Sequence, residues 1–374
     1  MPKITLPAAR VTQGALTLYT TSMQVRDLVK PDFYSVERLD PENEIDKGYQ
    51  RVLNTGRAKK LADYIVRGQE SRDAFLPTSV LLATAKSIEF NEAANTIDID
   101  TSGIGPFSVV DGQHRLEGLK VAAEKDPRVL DFQIPVNIAI NLPFMAQMAH
   151  FYIVNTTQKS VDQSVEQRII SRLTQALNVE EMPRLPKWIE RIVEKGEVDH
   201  ALKLVIFLNE ADESPWNAKV RMANDSGNGT TINQHSFVKS VKKYILTANN
   251  PISVHDPEKQ RKIFLNYWCA IANLIHDGKE SVLFKTIGVE LFCKFSTPFF
   301  NKLLEKGDFK IETMKHILSN CFENVDGEYA GVGHSQWWTP GSKASGLNSS
   351  AVNQVFHKLC EALHKASMTQ EIEL

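Results

Sequence analysis

The sequence is short of cysteine, of long apolar runs and of any charge excess, and each shortage removes a class of function. Its 374 residues include four cysteines, Cys269, Cys293, Cys321 and Cys360, all in the C-terminal third. None forms a C-x-x-C pair or a metal-like spacing, so thiol redox motifs, zinc ribbons and disulfide scaffolds are excluded. Four scattered thiols are expected to be buried in a reducing compartment. No stretch approaches the roughly 20 apolar residues of a membrane span, and the opening "MPKITLPAARVTQ" has no apolar signal core. A soluble, cytoplasmic protein is expected. Lysine and arginine number 43 against 45 aspartates and glutamates, a net charge of -2. Any contact with nucleic acid must therefore come from a local patch. The histidines of the second half show no H-x-x-x-H zinc spacing, and there is no internal repeat.

What is present divides the chain. The first ~160 residues mix strand and helix patterns. "ALTLYTTSM" alternates like a strand, "LPTSVLLAT" reads as a buried strand, and "IEFNEAANTIDID" reads as a hairpin turning near Asn91 to Asn95. "GRAKKLADYIVRG" puts Ala58, Leu61, Ala62 and Ile65 on one helical stripe, with Thr55 as its expected N-cap. "FSVV" and "IPVNIAI" are further strands, and Pro143 opens the helix "PFMAQMAHFYIVN". From about Val161 the pattern turns helical, with stripes such as Val165, Ile169, Leu173 and Leu177. The predicted architecture is α+β: an N-terminal domain with a mixed sheet over 1–165 and an all-helical domain over 166–374.

One stretch carries chemistry. In "FSVVDGQHRLEGLKVAAEK", Phe107 to Lys125, an apolar run stops at Asp111-Gly112. Asp-Gly between apolar runs often marks a hairpin. Here Leu116, Leu119, Ala122 and Ala123 then fall on a helical stripe, so the arrangement reads as strand, glycine turn, helix start. Free N–H groups at a helix start bind anions. Gly112 lets the backbone approach a ligand. Arg115 can fork onto a phosphate, His114 can donate or carry a proton, and Asp111 can hold a metal, a ribose or a water. An arginine there also opposes the helix dipole. By the residues alone, a phosphate site and a structural turn capped by Asp111 stand level.

The "DGQHR" box resembles that of the DGQHR-domain family, which includes DndB-type and DpdB-type proteins of bacterial DNA-modification islands and looks like a variant of the ParB/sulfiredoxin fold. The resemblance covers roughly residues 45–165. It includes "YQRVLNTGRAKKLADYIVRG" before the box and, after it, the "N-x-x-Q-K" motif of Asn155, Thr156, Thr157, Gln158 and Lys159. Sulfiredoxins carry cysteine where Gln113 stands, so thiolate chemistry is not expected. The resemblance implies binding of ATP or another nucleoside triphosphate with Mg²⁺, and less surely its hydrolysis. On that reading Asp111, His114 and Arg115 are catalytic. Gln50, Arg51, Gly112, Gln113, Asn155, Gln158 and Lys159 hold the nucleotide, and Asp111 with Glu117 holds the metal. For Gln50 and Arg51, as for Asn54 and Arg57, surface or structural roles are equally open. An exposed first-turn acid is as good a reading of Glu117.

The DpdB-type likeness implies an ATPase that assists a transglycosylase-like partner placing a 7-deazaguanine base in DNA, with a homo-oligomer as an option. The DndB-type likeness implies a DNA-binding regulator of phosphorothioation genes without turnover. In the second half, "SPWNAKVRM" offers Trp216, Lys219 and Arg221 either as a nucleic-acid patch or, more commonly for such a stretch, as an ordinary helix end. "HSQWWTPGSK" offers Trp337 and Trp338 either as a partner surface or, equally, as core residues.

Overall fold

The structure is a computed structural model and describes residues 3–40, 48–158, 162–177, 185–275 and 281–368. Two compact units emerge: Met1–Ile169 with Gln175–Lys187, and Ile170–Thr174 with Trp188–Leu374.

The first unit is α+β. Its strands are β1 (Ile4–Gln13), β2 (Leu16–Gln24), β3 (Tyr34–Ser35), β4 (Val80–Ala83), β5 (Phe90–Asn91), β6 (Thr96–Ile99), β7 (Phe107–Asp111) and β8 (Gln133–Ala139). They form one mixed sheet in the order β3-β7-β4-β8-β2-β1-β6-β5. β3 lies parallel to β7 and β4 parallel to β8, while β7 runs antiparallel to β4. The helices are α1 (Val25–Leu28), α2 (Thr55–Ser71), α3 (Thr101–Ile104), α4 (Gln113–Lys125), α5 (Phe144–Gln158) and α6 (Gln163–Gln175), of which Ile170–Thr174 falls in the second unit.

The predicted hairpin is present, with β5 and β6 pairing Phe90 to Ile97 and Asn91 to Thr96. β1 had no clear signal in the sequence. It alternates weakly and contains Pro7, which demotes a strand. Tertiary pairing makes it a strand: β2 and β6 both bond to it. Thr55 is not the cap of α2 but its first residue. The cap is Asn54, whose Oδ1 accepts the Arg57 N–H at 3.0 Å.

Helix α2 buries Ala58, Ala62 and Ile65, and α4 buries Leu116, Leu119 and Ala122, so the striped faces point into one core. Burying each large aliphatic there contributes about 1.5–3 kcal/mol. Gly118 lets the two helices close up, since a Cβ there would sit 2.9 Å from Leu61 Cδ2 and 3.1 Å from the Ala58 carbonyl oxygen. This packing sets α4 rigidly behind the end of β7.

The second unit contains α7 (Lys187–Lys195), α8 (Glu197–Glu210), α9 (Gln234–Ser240), α10 (Pro257–Ile275), α11 (Thr286–Lys306), α12 (Ile311–Glu323) and α13 (Ser349–Met368) around an aromatic core. The expectation of an all-helical region needs one correction. β9 (Val220–Arg221) and β10 (Ile232–Asn233) form a short parallel pair, too brief to leave a period in the sequence.

The proposed nucleic-acid patch is also corrected. Trp216 is fully buried and packs on Phe237, Trp268 and Phe284. Trp337 and Trp338 are buried too, with Trp338 Nε1 donating to the Val332 carbonyl at 2.8 Å. None of these rings is a free docking surface. No helix among the described residues is long and apolar enough to cross a membrane.

Candidate functional site

The strand–turn–helix reading of "DGQHR" holds, and the hairpin reading does not: β7 ends at Asp111 and α4 begins at Gln113. Between them Gly112 takes φ 104° and ψ 13°, a backbone state that strains any residue with a Cβ. A Cβ there would also lie 3.1 Å from Val80 Cγ2. The ladder slips at this point. Leu81 faces Asp111 while Leu82 faces Val109, which leaves Val110 as the extra residue of a bulge that re-aims the strand end.

A cleft of about 210 Å³ opens at this turn. It brings together Gln50, Arg51, Asp111, Gly112, Gln113, His114, Arg115 and Asn155, with Phe151 as an apolar wall. Segments ~60 residues before and ~40 after the motif thus meet at one helix start, and Phe151 carried no signal beyond its helical stripe. The volume is below the roughly 300–1,000 Å³ of ligand pockets, so the cleft encloses part of a nucleotide rather than the whole.

The side chains differ in what they have left to offer. Gln50 is buried, and its Nε2 donates to the carbonyls of Val109 at 2.7 Å and Val110 at 3.1 Å. It therefore fastens its segment to the bulge. Gln113 Nε2 donates to the Arg51 carbonyl at 3.3 Å, while its buried Oε1 has no hydrogen-bond partner among the described residues. Such an orphan acceptor is costly unless something fills the cleft. Asn155 Nδ2 donates to the Phe151 carbonyl at 2.7 Å, which leaves Oδ1 as its free group. Arg115 Nη2 and Asp111 Oδ2 form an ion pair at 2.6 Å. Arg51 and Arg57 have no carboxylate partner among the described residues.

His114 is an acceptor in this arrangement. The Asn54 N–H donates to its Nε2 at 3.0 Å, which places the ring proton on Nδ1. Burial, with the positive charges of Arg51 and Arg57 behind it, holds its pKa below the usual 6.5. The ring is thus neutral at pH 7, and it ties the start of α2 to the first turn of α4.

Glu117 does not line the cleft; the group it burdens is Tyr34, whose pKa is raised by burial and then by this carboxylate. Of the two expected metal ligands, the cleft lining thus includes Asp111 and not Glu117. Among the described residues no three His, Cys, Asp or Glu side chains converge as a metal site. Gln158 closes α5, and Lys159 lies outside the described residues. The second unit holds a larger cavity, about 670 Å³, beside Lys219. Its ammonium is already held by the Pro215 carbonyl and lies 4.0 Å above the Phe284 ring.

The motif and its partners from three segments thus form one unit with the sheet, and that span is the one a family model covers. Residues 6–175 match the model described as DndB: DNA-sulfur modification-associated. Residues 6–175 are thus similar to the DndB family. No curated protein and no solved structure matches the chain. The DndB match associates the chain with DNA modification.

Proposed function

We propose that the DndB-like region binds the phosphates of a nucleoside triphosphate at the start of α4, as a component of a DNA-modification system. One observation carries this: α4 starts at an uncapped glycine, has no acid in its first turn, and faces Arg51 and Arg57, which lack carboxylate partners among the described residues. Free N–H groups, the positive end of the helix and forked cations are what a polyanion requires. The orphan Gln113 Oε1 and Asn155 Oδ1 add acceptors for ribose or base donors. The motif order supports a ParB/sulfiredoxin-like reading of the sheet and turn.

Binding is better supported than turnover. Asp111 is the cleft's one carboxylate, and Arg115 neutralises it. Hydrolysis requires Arg115 to move onto the phosphates and release Asp111 to orient water. Asp111 would hold a Mg²⁺ ion that came with the phosphates, and the ion would supply charge neutralisation there. The ATPase that helps a transglycosylase-like enzyme insert 7-deazaguanine is the turnover version of this reading. The alternative is a DNA-binding regulator in which nucleotide is held and not consumed, as the DndB-type likeness implies.

Equilibrium binding and phosphate release, with each of the four triphosphates and with or without Mg²⁺, test both. Micromolar binding that disappears in Arg51→Ala supports the site. Release abolished by Asp111→Ala supports turnover. A folded wild-type protein that binds no triphosphate sinks the proposal. Stronger binding to its own upstream duplex than to random duplex, with no phosphate release, selects the regulator.

A further inference from the structure

Helix α2 begins at the cleft and runs away from it with its charges sorted. At 100° per residue, Arg57, Lys60, Tyr64, Arg67 and Ser71 fall on one exposed stripe, opposite buried Ala58, Ala62 and Ile65. The acids lie on a different flank and face bases of neighbouring elements. Asp63 pairs with Lys125 at 2.7 Å, and Glu70 acts on Arg128. Lys60, Arg67 and Arg72 form no ion pair among the described residues. The stripe therefore carries cations outside any ion pair, although Arg67 Nε donates to the Asp63 carbonyl at 3.1 Å and Ser71 at its far end donates to Asp73.

An aromatic pair stands at the far end of this row. Phe75 is 71% exposed and Tyr64 39%. Phe75 is exposed yet fixed: its N–H donates to the Tyr64 hydroxyl at 2.9 Å, and that hydroxyl donates to the Phe75 carbonyl at 3.2 Å. Two backbone features return the chain to α2 to make this possible. Arg72 takes the left-handed conformation, φ 57°, uncommon for a residue with a side chain. Gly68 leaves room for Ala74, whose Cβ would otherwise be 2.5 Å from a Cβ there. A large apolar ring held in water at both of its backbone groups, beside cations that form no ion pair among the described residues, is a stacking platform on an electrostatic track.

We propose that the outer face of α2 with Phe75 binds single-stranded DNA, the phosphates following Lys60, Arg67 and Arg72 and an unpaired base stacking on Phe75. DNA rather than an acidic protein is the occupant because Lys60 and Arg67 share one stripe, Arg72 follows at the helix end and an exposed ring lies just beyond, and because the matched family is described as DNA-sulfur modification-associated. The site is separate from the nucleotide cleft and does not depend on it.

The test is fluorescence anisotropy of the whole chain with a labelled oligothymidylate of about 20 nucleotides and with a duplex of the same length. The single strand should bind more tightly than the duplex. Phe75→Ala should weaken single-strand binding about five- to 100-fold and leave duplex binding unchanged. Lys60→Ala with Arg67→Ala should lower the slope of log affinity against log salt by about 1.4. All three positions are exposed, and circular dichroism confirms that the variants fold. Triphosphate binding should be unchanged in them, so failure here and failure at the cleft read separately. Absent single-strand binding, duplex binding at least as tight, or variants that bind like wild type would each overturn the proposal.

Discussion

Helices α4 and α8 start in the same way and end up with opposite electrostatics. Both begin after a left-handed glycine, Gly112 or Gly196, and neither has a side-chain cap. Helix α8 fills its own positive end: Glu197 and Asp199 lie in its first turn. Asp199 is buried, accepts the Ser171 hydroxyl at 2.7 Å and pairs with Lys203 at 2.8 Å. Helix α4 has no acid there and turns Arg51, Arg57 and Arg115 toward its start. One start is complete within the fold, whereas the other is left for an anion. The cap alone does not distinguish a structural helix start from a binding one; the first turn and the charges brought beside it do.

Four experiments break or sharpen that contrast. The largest effect belongs to the filled start. Asp199→Ala should lower unfolding free energy by about 2–3 kcal/mol in urea titration, with triphosphate affinity unchanged. At the open start the loss should appear in binding instead. Arg51→Ala should weaken triphosphate binding tenfold or more, about 1.5–2 kcal/mol, and shift stability by no more than about 0.5 kcal/mol. Gly112→Ala comes next, destabilising by about 1–2 kcal/mol, because φ 104° and the contact with Val80 both oppose a Cβ.

The smallest effect is the pH response of His114. Its folded pKa lies below 6.5, so at pH values between the two the unfolded chain binds the proton and the folded chain does not. The stability contributed by the neutral ring is present above pH 6.5, falls as pH drops below it, and levels off under the folded pKa. Thermal melts from about pH 7.5 to 5 should fall more steeply for wild type than for His114→Asn. Bound triphosphate should flatten the wild-type curve, since an anion favours the charged ring.

Much of the site was legible because its signals are local. The switch at Asp111-Gly112 from an apolar run to the stripe of Leu116, Leu119 and Ala122 announces a strand, a turn and a helix within 16 residues. The same periodicity marks α2 and the helices beyond residue 161. β1 escaped, since Pro7 interrupts its pattern and its partners, β2 and β6, supply the order. Glu117 sits only three residues from His114, but the helix carries it toward Tyr34. Trp216 and Trp338 look like interface residues in sequence because an aromatic beside a lysine reads the same in a core as at a surface.

The sequence by itself determined the α+β start, the helical continuation, the glycine at the head of α4 and the absence of a thiolate, all of which depend on neighbours within a turn or a strand. Only the tertiary structure decided which polar groups remain available. Gln50 is used up on the bulge of β7, Arg115 is matched with Asp111 and His114 receives the Asn54 N–H, while Arg51 keeps its charge. These partners come from segments ~60 residues apart or from across a turn, and no local pattern encodes a distance that only packing closes.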